Sequence, residues 1–461
     1  MTYTEFLKNK SVSAPKSGFD ISPSAINPTL FDWQKAIVRW AAAKGKAAIF
    51  ADCGLGKTFM QLEWARLVCE HTGGGALILA PLAVSRQTKR EGDKIGVDVN
   101  ICRDAADIRP GVNITNYERL DRFEPFADGD FAGVVLDESS ILKSFTGRTK
   151  QAIIERFART PYKLACTATP SPNDFMELGN HAEFLDVSTR GRMLAEYFIH
   201  DGGDTLKWRL KGHAERDFWR WVASWAIMLK KPSDLGFDDA GYDLPALDIR
   251  GHVLECAPDV GELVVMPART LLERRAARKS GMGGRVALAA DIANGLNGQC
   301  LAWCDLNDES KALSKAIVGA VEVTGSDEPE KKEAAMIGFA EGNVRCLVTK
   351  PRIAGFGMNW QNCSDMIFCG LSDSYEQFYQ ALRRCWRFGQ ERPVTARVII
   401  SERETAVLDN IRRKEADAER MARAMVEVTA EIIKKELGRV TRERTAYNPG
   451  RAMAVPAWIG V

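Results

Sequence analysis

The sequence has almost no net charge, no long apolar run and no cysteine spacing typical of a metal site. Each of these features limits the classes of protein to which the chain can belong. Its 63 basic and 61 acidic side chains leave a formal charge of only +2, which neither supports nor excludes a polyanionic partner bound in a local basic groove. No apolar run approaches the roughly 20 residues that span a bilayer, and the opening residues MTYTEFLKNK lack the apolar core of a signal peptide. The eleven cysteines follow no zinc-binding spacing. We therefore expect reduced, mostly buried thiols in the cytoplasm and no membrane partner.

Short apolar runs alternate with amphipathic stretches in two parts of the chain. In the first part the runs AAIFAD, ALILAP, VNIT, GVVLDE and KLACTAT are strand-length and are followed by turn or helix signals. After about residue 285 the same rhythm returns with QCLAWC, AVEVTG, RCLVTK and DMIFCG. Buried strands that alternate with helices predict parallel sheets covered on both faces. The predicted fold class is α/β, with two RecA-like parallel-sheet lobes in tandem, a helical insertion between them and a helical C-terminal tail.

These patterns divide the chain into five predicted segments. Residues 1–24 form a flexible lead-in, 25–185 the first lobe, 186–250 a helical insertion and linker, 251–404 the second lobe, and 405–461 a helical tail. In the tail, apolar residues from Leu408 to Leu437 recur at helical spacing among many charges.

The segment AAIFADCGLGKTFM carries the strongest chemical signal. A strand enters a loop with Gly54 and Gly56, and Lys57 and Thr58 then open a helix. Backbone N–H groups of such a loop surround phosphates, and the helix N-terminus adds the positive end of its dipole. Lys57 would reach the β and γ phosphates of a nucleotide, and Thr58 would bind magnesium. The alternative is an ordinary glycine turn, which the order of strand, loop and helix disfavours.

A second signal is GVVLDESSILKS, in which a buried strand delivers Asp137 and Glu138 to its carboxyl end. Ligands bind at these ends in open α/β sheets. Asp137 would hold Mg²⁺, and Glu138 would orient or deprotonate the attacking water. An acidic pair alone would indicate a solvated turn, but a phosphate loop upstream favours a catalytic site.

The third signal is QFYQALRRCWRFGQ. Arg383, Arg384 and Arg387 lie on a predicted helix, and the last two, three residues apart, share one face. An arginine supplied by another lobe stabilises the charge of a phosphoryl transition state. The alternative is a basic surface helix.

In their order along the chain, these blocks resemble superfamily-two helicases of the Swi/Snf-like translocase branch. The further blocks that carry the resemblance are FDWQKAIVRW, LILAPLAVSRQTKRE, ITNYERL, TATPSPND, AVEVTGS and RIAGFGMNWQ. The resemblance spans about residues 30–400 through nine ordered blocks. It implies two RecA-like lobes, an ATP–Mg²⁺ site in the cleft between them, and DNA crossing both.

Individual roles follow from the matched motifs. Gln34 would contact adenine, Gln380 opens the last motif, and Arg384 and Arg387 fall on the family's two arginine fingers. The resemblance implies a nucleotide-binding set formed by Gln34, Gly54, Leu55, Gly56, Lys57, Thr58, Gly355 and Gly357.

The sequence departs from the family pattern in three places, two of which are residue pairs. Ser139-Ser140 close the acidic box in place of Ala followed by His or Asp, so its contact with the coupling motif TATPSPND cannot be carried over. Lys350-Pro351 replace the usual Ser-Thr before the glycine-rich block, and Thr88 stands where an aromatic residue is expected.

The predicted insertion mixes tryptophans with basic residues, a combination that can hold DNA by stacking and phosphate contact. However, Phe218, Trp221, Trp225 and Met228 are spaced like one buried helix face. We therefore favour a core role for the tryptophans. The basic residues remain candidate phosphate contacts, with Lys207, Lys211 and Arg220 among them.

The sequence as a whole predicts an ATP-dependent DNA helicase or double-stranded DNA translocase from a bacterium or a phage, with ATP and Mg as its cofactors. Duplex DNA is favoured as the partner over a single strand or RNA, and the helical tail could bind a protein. Two alternatives stay open: an RNA-directed ATPase, and a non-catalytic ATP-dependent clamp or scaffold on DNA. The Leu-Lys that trails the acidic box argues against the first, and intact Lys57, Glu138 and Arg387 argue against the second.

Overall fold

The molecule is described from a computed structural model of the chain. The structure describes residues 14–81, 84–123, 131–143, 147–172, 174–201, 204–240, 242, 244–256, 268, 270–354 and 358–441. Among the helices of these ranges, none has the length and apolar character needed to cross a bilayer.

The described residues of the first half of the chain form nine strands and seven α-helices. The strands are β1 (Lys46–Ala51), β2 (Gly75–Ala80), β3 (Val99–Ile101), β4 (Val112–Asn116), β5 (Phe131–Asp137), β6 (Tyr162–Cys166), β7 (Phe198–Asp201), β8 (Asp204–Leu210) and β9 (Ala226–Leu229). The helices are α1 (Asp32–Lys44), α2 (Lys57–Thr72), α3 (Ser85–Lys94), α4 (Arg148–Arg156), α5 (Leu178–Phe184), α6 (Arg190–Tyr197) and α7 (Glu215–Ala223).

Six strands and seven α-helices follow in the described second half. The strands are β10 (Leu247–Leu254), β11 (Cys300–Cys304), β12 (Ala320–Glu322), β13 (Cys346–Thr349), β14 (Asp365–Cys369) and β15 (Val394–Ser401). The helices are α8 (Leu271–Ser280), α9 (Met282–Gly295), α10 (Asn307–Ala316), α11 (Pro329–Ala340), α12 (Pro351–Ala354), α13 (Tyr375–Leu382) and α14 (Thr405–Thr441). Short 3-10 helices are Pro23–Ala25, Ala105–Asp107, Tyr117–Phe123, Ser139–Lys143, Phe175–Glu177, Gly212–Ala214, Pro232–Leu235 and Glu402–Glu404.

Two parallel sheets form the two lobes, which confirms the predicted fold class. The first sheet has the order β3-β4-β2-β5-β6-β1-β9, and the second has the order β10-β15-β14-β11-β13-β12. All strand pairs in both sheets are parallel. Parallel strands place their carboxyl ends along one edge, so the loops that follow β1, β5 and β6 meet there.

Each sheet is covered on both faces by helices. Along β1, Ile49 contributes to the core cluster on one face, and Phe50 contributes to the cluster on the other. In β11, Leu301 and Ala302 divide between two clusters in the same way. Side chains alternate in direction along a strand, so a run buried throughout needs two packed faces.

The segment 186–250 has mixed structure, although a helical insertion was expected. It contains α6, the antiparallel hairpin β7–β8, α7 and the strand β9, which pairs with β1 and extends the first sheet. The expected single helix face is wrong for Trp225 and Met228, because α7 ends at Ala223. Both are nevertheless buried. Pairing with the open edge of β1 decides the conformation of this run, and that is a tertiary effect.

The ends of the described chain also pack on the lobes. Residues 1–13 of the predicted lead-in lie outside the described residues. In its described part Ala14 and Ile21 are buried against the first lobe, and the Ile21 carbonyl accepts a hydrogen bond from Arg39 Nε at 3.1 Å. Helix α14 contributes Ile411 to the second-lobe core and Met421 to the first-lobe core. The described part of the predicted tail, Thr405–Thr441, therefore contacts both lobes.

Candidate nucleotide site between the lobes

The loop between β1 and α2 has the backbone conformation of a phosphate-binding loop. Gly54 and Gly56 have φ values of +90° and +67°, a region that side-chain-bearing residues rarely adopt. Lys57 is the first residue of α2, so the free N–H groups and the positive dipole end of that helix face the loop. The sequence-predicted Gly54, Leu55, Gly56, Lys57 and Thr58 all lie in this turn.

A side chain at either glycine would also meet close contacts. A Cβ at Gly56 would lie 2.5 Å from Gln34 Nε2, and one at Gly54 would lie 3.0 Å from the backbone nitrogen of Phe388, which belongs to the second lobe. Gln34 Nε2 donates to the Leu55 carbonyl at 3.2 Å, and Gln34 Oε1 accepts from the Phe31 backbone at 3.0 Å. Gln34 therefore ties the start of α1 to the phosphate loop.

Lys57 turns its ammonium group back into the loop. Its Nζ lies 2.8 Å from the Ala51 carbonyl oxygen and 3.2 Å from the Asp52 carbonyl oxygen. Each contact joins the ammonium group to one backbone carbonyl oxygen. Phosphate oxygens of a bound nucleotide could take the place of these carbonyl oxygens as acceptors, and Lys57 would keep its charge.

Asp137 and Glu138 end β5 beside the loop. Asp137 Oδ1 accepts a hydrogen bond from Gln61 Nε2 of α2 at 2.8 Å. Burial, and then the neighbouring Glu138, raises the pKa of Asp137 to about 6. Glu138 has φ +55°, which is unusual for a residue with a side chain. Its Oε2 accepts from Thr167 Oγ1 at 3.2 Å.

The contact between Glu138 and Thr167 joins the acidic box to the coupling motif. Ser139, one of the departures from the family pattern, contacts His181, with 3.1 Å between Ser139 Oγ and His181 Nε2. Of the other two departures, Lys350 Nζ donates to Asn307 Oδ1 at 2.5 Å, and Thr88 Oγ1 donates to its own helix at the Val84 carbonyl.

The predicted helix ends at Leu382, so the three arginines follow α13 and do not lie on it. Their surroundings differ. Arg384 bonds within its own lobe, to the carbonyls of Gln380 at 3.1 Å and Met358 at 3.0 Å. The Cβ of Arg387 lies 3.7 Å from the position that a Cβ would take at Gly54. The Arg387 guanidinium contacts Asn359. Arg383 forms an ion pair across the cleft, with 3.2 Å between its Nη2 and Asp52 Oδ2.

Two predicted side chains have buried polar atoms without hydrogen-bond partners in the described part of the protein. They are Nε of Arg387 and both amide atoms of Gln380. Burial, and then Arg384, lowers the pKa of Arg387 to about 10, which is the effect expected of a cation that lacks a nearby anion. Gly355 and Gly357 lie outside the described residues.

Several residues near the loop were not identified from the sequence. Asp52 and Tyr379 meet across the cleft, Gln61 holds Asp137, and Tyr242 of the linker packs against Phe388 with 4.9 Å between ring centroids. Spacing could have indicated Gln61, which lies one helical turn after Lys57. No local pattern marks the other three, because their partners are distant in sequence.

The tryptophans of segment 186–250 have the core role that we favoured. Trp219, Trp221 and Trp225 are buried, and the Trp208 and His200 rings contact each other in the hairpin, tilted by 38° with 3.6 Å between their centroids. Lys211 Nζ donates to the last carbonyls of α6, at Ala195 and Glu196. Lys211 is therefore engaged within segment 186–250.

The residues around the loop fit a nucleoside triphosphate with Mg²⁺. Positive-φ glycines, an ammonium group and an unpaired buried guanidinium nitrogen suit an anion, while the buried Asp137 beside Glu138 suits a cation. The described residues contain no cluster of three or more His, Cys, Asp or Glu side chains that could hold a metal. Mg²⁺ suits such a site because it usually takes one or two carboxylates and completes its shell with phosphate oxygens and water.

Comparison with known proteins gives one family match. Residues 286–389 match the helicase conserved C-terminal domain, which confirms the helicase resemblance for the second lobe. Among solved structures, the SWI2/SNF2 ATPase core of Sulfolobus solfataricus in complex with dsDNA is 16% identical, with 92% of this chain and 99% of that chain covered and a TM-score of 0.43. No curated protein matches the chain.

Proposed function

We propose that this chain, whose residues 286–389 form a helicase conserved C-terminal domain, is an ATP-driven motor that moves along double-stranded DNA. The observation that carries the proposal is the meeting of the two lobes at the phosphate loop. Phe388 of the second lobe packs on Gly54, and Arg387 has an unpaired Nε beside it. A cleft of this kind couples a change at the nucleotide to a change in lobe position.

The side chains around the phosphate loop have different roles in the proposed hydrolysis of ATP. Lys57 and the N–H groups of the loop bind the β and γ phosphates, and Gln34 fixes the loop against α1. Thr58 and Asp137 would hold Mg²⁺, which when bound neutralises phosphate charge. Glu138, oriented by Thr167, accepts a proton from the attacking water. Arg387 stabilises charge on the γ phosphate as the cleft closes.

The same arrangement gives a path from ATP to DNA. Thr167 belongs to the coupling motif TATPSPND, so a change at Glu138 would be transmitted to that motif through their contact. We propose duplex DNA as the track, because the acidic box and the second-lobe motifs resemble the translocase branch.

An ATPase comparison tests this proposal. Rates would be measured with no polymer, duplex DNA, single-stranded DNA and RNA, on wild type, Lys57→Ala and Glu138→Gln. We expect the greatest stimulation by duplex DNA, no hydrolysis by Lys57→Ala, and at least about a hundredfold loss in Glu138→Gln with ATP binding retained. Lys315→Ala, an exposed lysine on α10, serves as the matched control and should keep the wild-type rate.

Other outcomes identify the alternatives. Stimulation by RNA alone would indicate an RNA-directed ATPase, and ATP binding without turnover in the wild type would indicate a clamp or scaffold. Displacement of a third strand from a triplex, without separation of the duplex, would distinguish a translocase from a helicase.

A further inference from the structure

Three side chains from the two lobes meet at the first residue of the phosphate loop. Asp52 lies in the loop, and Tyr379 and Arg383 lie one helical turn apart at the end of α13. The Tyr379 hydroxyl donates to Asp52 Oδ1, and Arg383 Nη2 lies 3.2 Å from Asp52 Oδ2. Arg383 also donates to the carbonyl of Cys53. Both carboxylate oxygens of Asp52 are thus engaged by the second lobe.

The surroundings hold Arg383 in this position. Its side chain is 3% exposed and that of Asp52 is 15% exposed, so water competes little with their ion pair. The guanidinium lies over the Trp386 ring, 4.9 Å from its centroid, and Trp386 Nε1 donates to the Pro245 carbonyl of the linker at 2.7 Å. Removal of one partner from a buried pair is costly because the other charge is left unpaired.

The partners are far apart in the chain, by 327 residues for Tyr379 and 330 for the contact of Arg383 with Cys53. They can meet only when the second lobe lies over the phosphate loop. Burial, and then Asp52, raises the pKa of the Tyr379 phenol well above its usual value, so the hydroxyl keeps its proton and stays a donor.

We propose that Asp52, Tyr379 and Arg383 form an inter-lobe latch that holds the cleft closed and positions the phosphate loop. These are positioning residues, because they act on the loop through Asp52 and the Cys53 carbonyl. The role in ATP turnover rests on the proposed function, whereas the role in holding the lobes together does not. The latch is distinct from Arg387, whose side chain packs beside Gly54 and contacts Asn359.

Lobe closure can be measured without ATP by energy transfer between dyes on unnatural amino acids at Glu155 and Lys315, exposed positions in the first and second lobes. We expect Arg383→Gln and Asp52→Asn each to raise the open population by at least about tenfold. Tyr379→Phe, which removes one hydroxyl, should have a smaller effect in the same direction. Asp365→Asn breaks the Arg397–Asp365 pair within the second lobe, 2.7 Å long, and should leave closure unchanged.

A double-mutant cycle separates a latch from a general loss of structure. If Asp52 and Arg383 act through each other, Asp52→Asn with Arg383→Gln should open the cleft no more than the worse single variant. Additive effects, or wild-type energy transfer in Arg383→Gln, would overturn the proposal. Circular dichroism confirms folding, and Tyr379→Phe keeps the test valid if a charge variant fails to fold.

ATPase kinetics then address positioning. In a latch variant the KM for ATP should rise about tenfold with a smaller change in kcat at saturating duplex DNA, because DNA can restore closure. A loss confined to kcat would contradict a positioning role. If the variants open the cleft but the wild type hydrolyses no ATP, the latch stands and the proposed function fails.

Discussion

Single residues in this protein carry conformations and environments that only their contacts explain. Glu138 adopts φ +55° at the end of β5 and meets Thr167, a conformation that costs about 1–3 kcal/mol. His181 is fully buried, and its Nε2 lies 3.1 Å from Ser139 Oγ. The serine that departs from the family pattern thus has a specific partner in the first-lobe core.

His181 should make the stability of the protein depend on pH. Burial lowers its pKa to about 4 from 6.5, so between these pH values the unfolded chain binds a proton that the folded chain does not. Stability is therefore complete above about pH 6.5 and is lost as pH falls toward 4. We expect about 2 kcal/mol less free energy of unfolding at pH 5 than at pH 7 from this group.

Urea unfolding at both pH values would measure this effect, with His181→Gln as the reference. Gln keeps a polar side chain and cannot titrate, so its loss of stability between pH 7 and pH 5 should be smaller by that amount. Equal losses in the two proteins would show that His181 does not titrate on unfolding.

At the scale of elements, helix α14 was expected, but its contact with both lobes was not. Val407 and Ile411 pack in the second-lobe core, while Met421 and Ala422 pack in the first-lobe core. Met421 Sδ accepts a hydrogen bond from Ser171 Oγ of the coupling motif at 2.9 Å. The helix that leaves the second lobe therefore contacts the block that follows Thr167.

Met421→Ala should weaken the docking of α14 on the first lobe. Loss of a buried methionine costs about 2–5 kcal/mol, and the free energy of unfolding from urea denaturation would measure it. Arg420→Ala, at a neighbouring position where the side chain is 74% exposed, is the matched control and should change stability by less than about 0.5 kcal/mol. A similarly small change in Met421→Ala would mean that α14 is not part of the cooperative unit.

At the scale of the whole molecule, polar contacts cross the cleft at several points. Lys143 of the acidic box pairs with Glu376 on α13, and Arg86 pairs with Glu333 on α11. The Arg86 pair is more exposed and contributes little by itself. The pair between Asp52 and Arg383 is the most buried of the three, so solvent screens it least.

Arg387→Ala should abolish DNA-stimulated hydrolysis, by about a thousandfold or more, while nucleotide and DNA still bind. The reason is that Arg387 lies beside Gly54 with an unpaired Nε. Arg387→Lys should rescue poorly because lysine lacks the planar fork that matches phosphate. Single-turnover hydrolysis with and without duplex DNA measures the effect.

Arg392→Ala, an exposed arginine five residues later, is the control and should hydrolyse normally. Full DNA stimulation in Arg387→Ala would move the finger to Arg384 or Arg383. If all three could be removed without effect, hydrolysis in the cleft between the lobes would be disproved.

The sequence by itself determined the two α/β lobes and the local form of the phosphate loop. Apolar runs such as AAIFAD and CLAWC indicate buried strands by their composition alone. The turn through Gly54 and Gly56 depends on residues that are close together in the chain. The acidic pair could also be located from the sequence, because Asp137 and Glu138 stand at the end of a buried strand.

Tertiary structure alone decided which arginine meets which partner, and where segment 186–250 belongs. Arg383 and Arg384 are neighbours in sequence, but one turns to Asp52 and the other to Met358, because the closed lobes set the direction of each side chain. Likewise β9 is a strand because β1 offers it an open edge, and α14 crosses to the first lobe because Met421 finds a buried site there. Such contacts join residues hundreds of positions apart, and no local pattern in the chain encodes them.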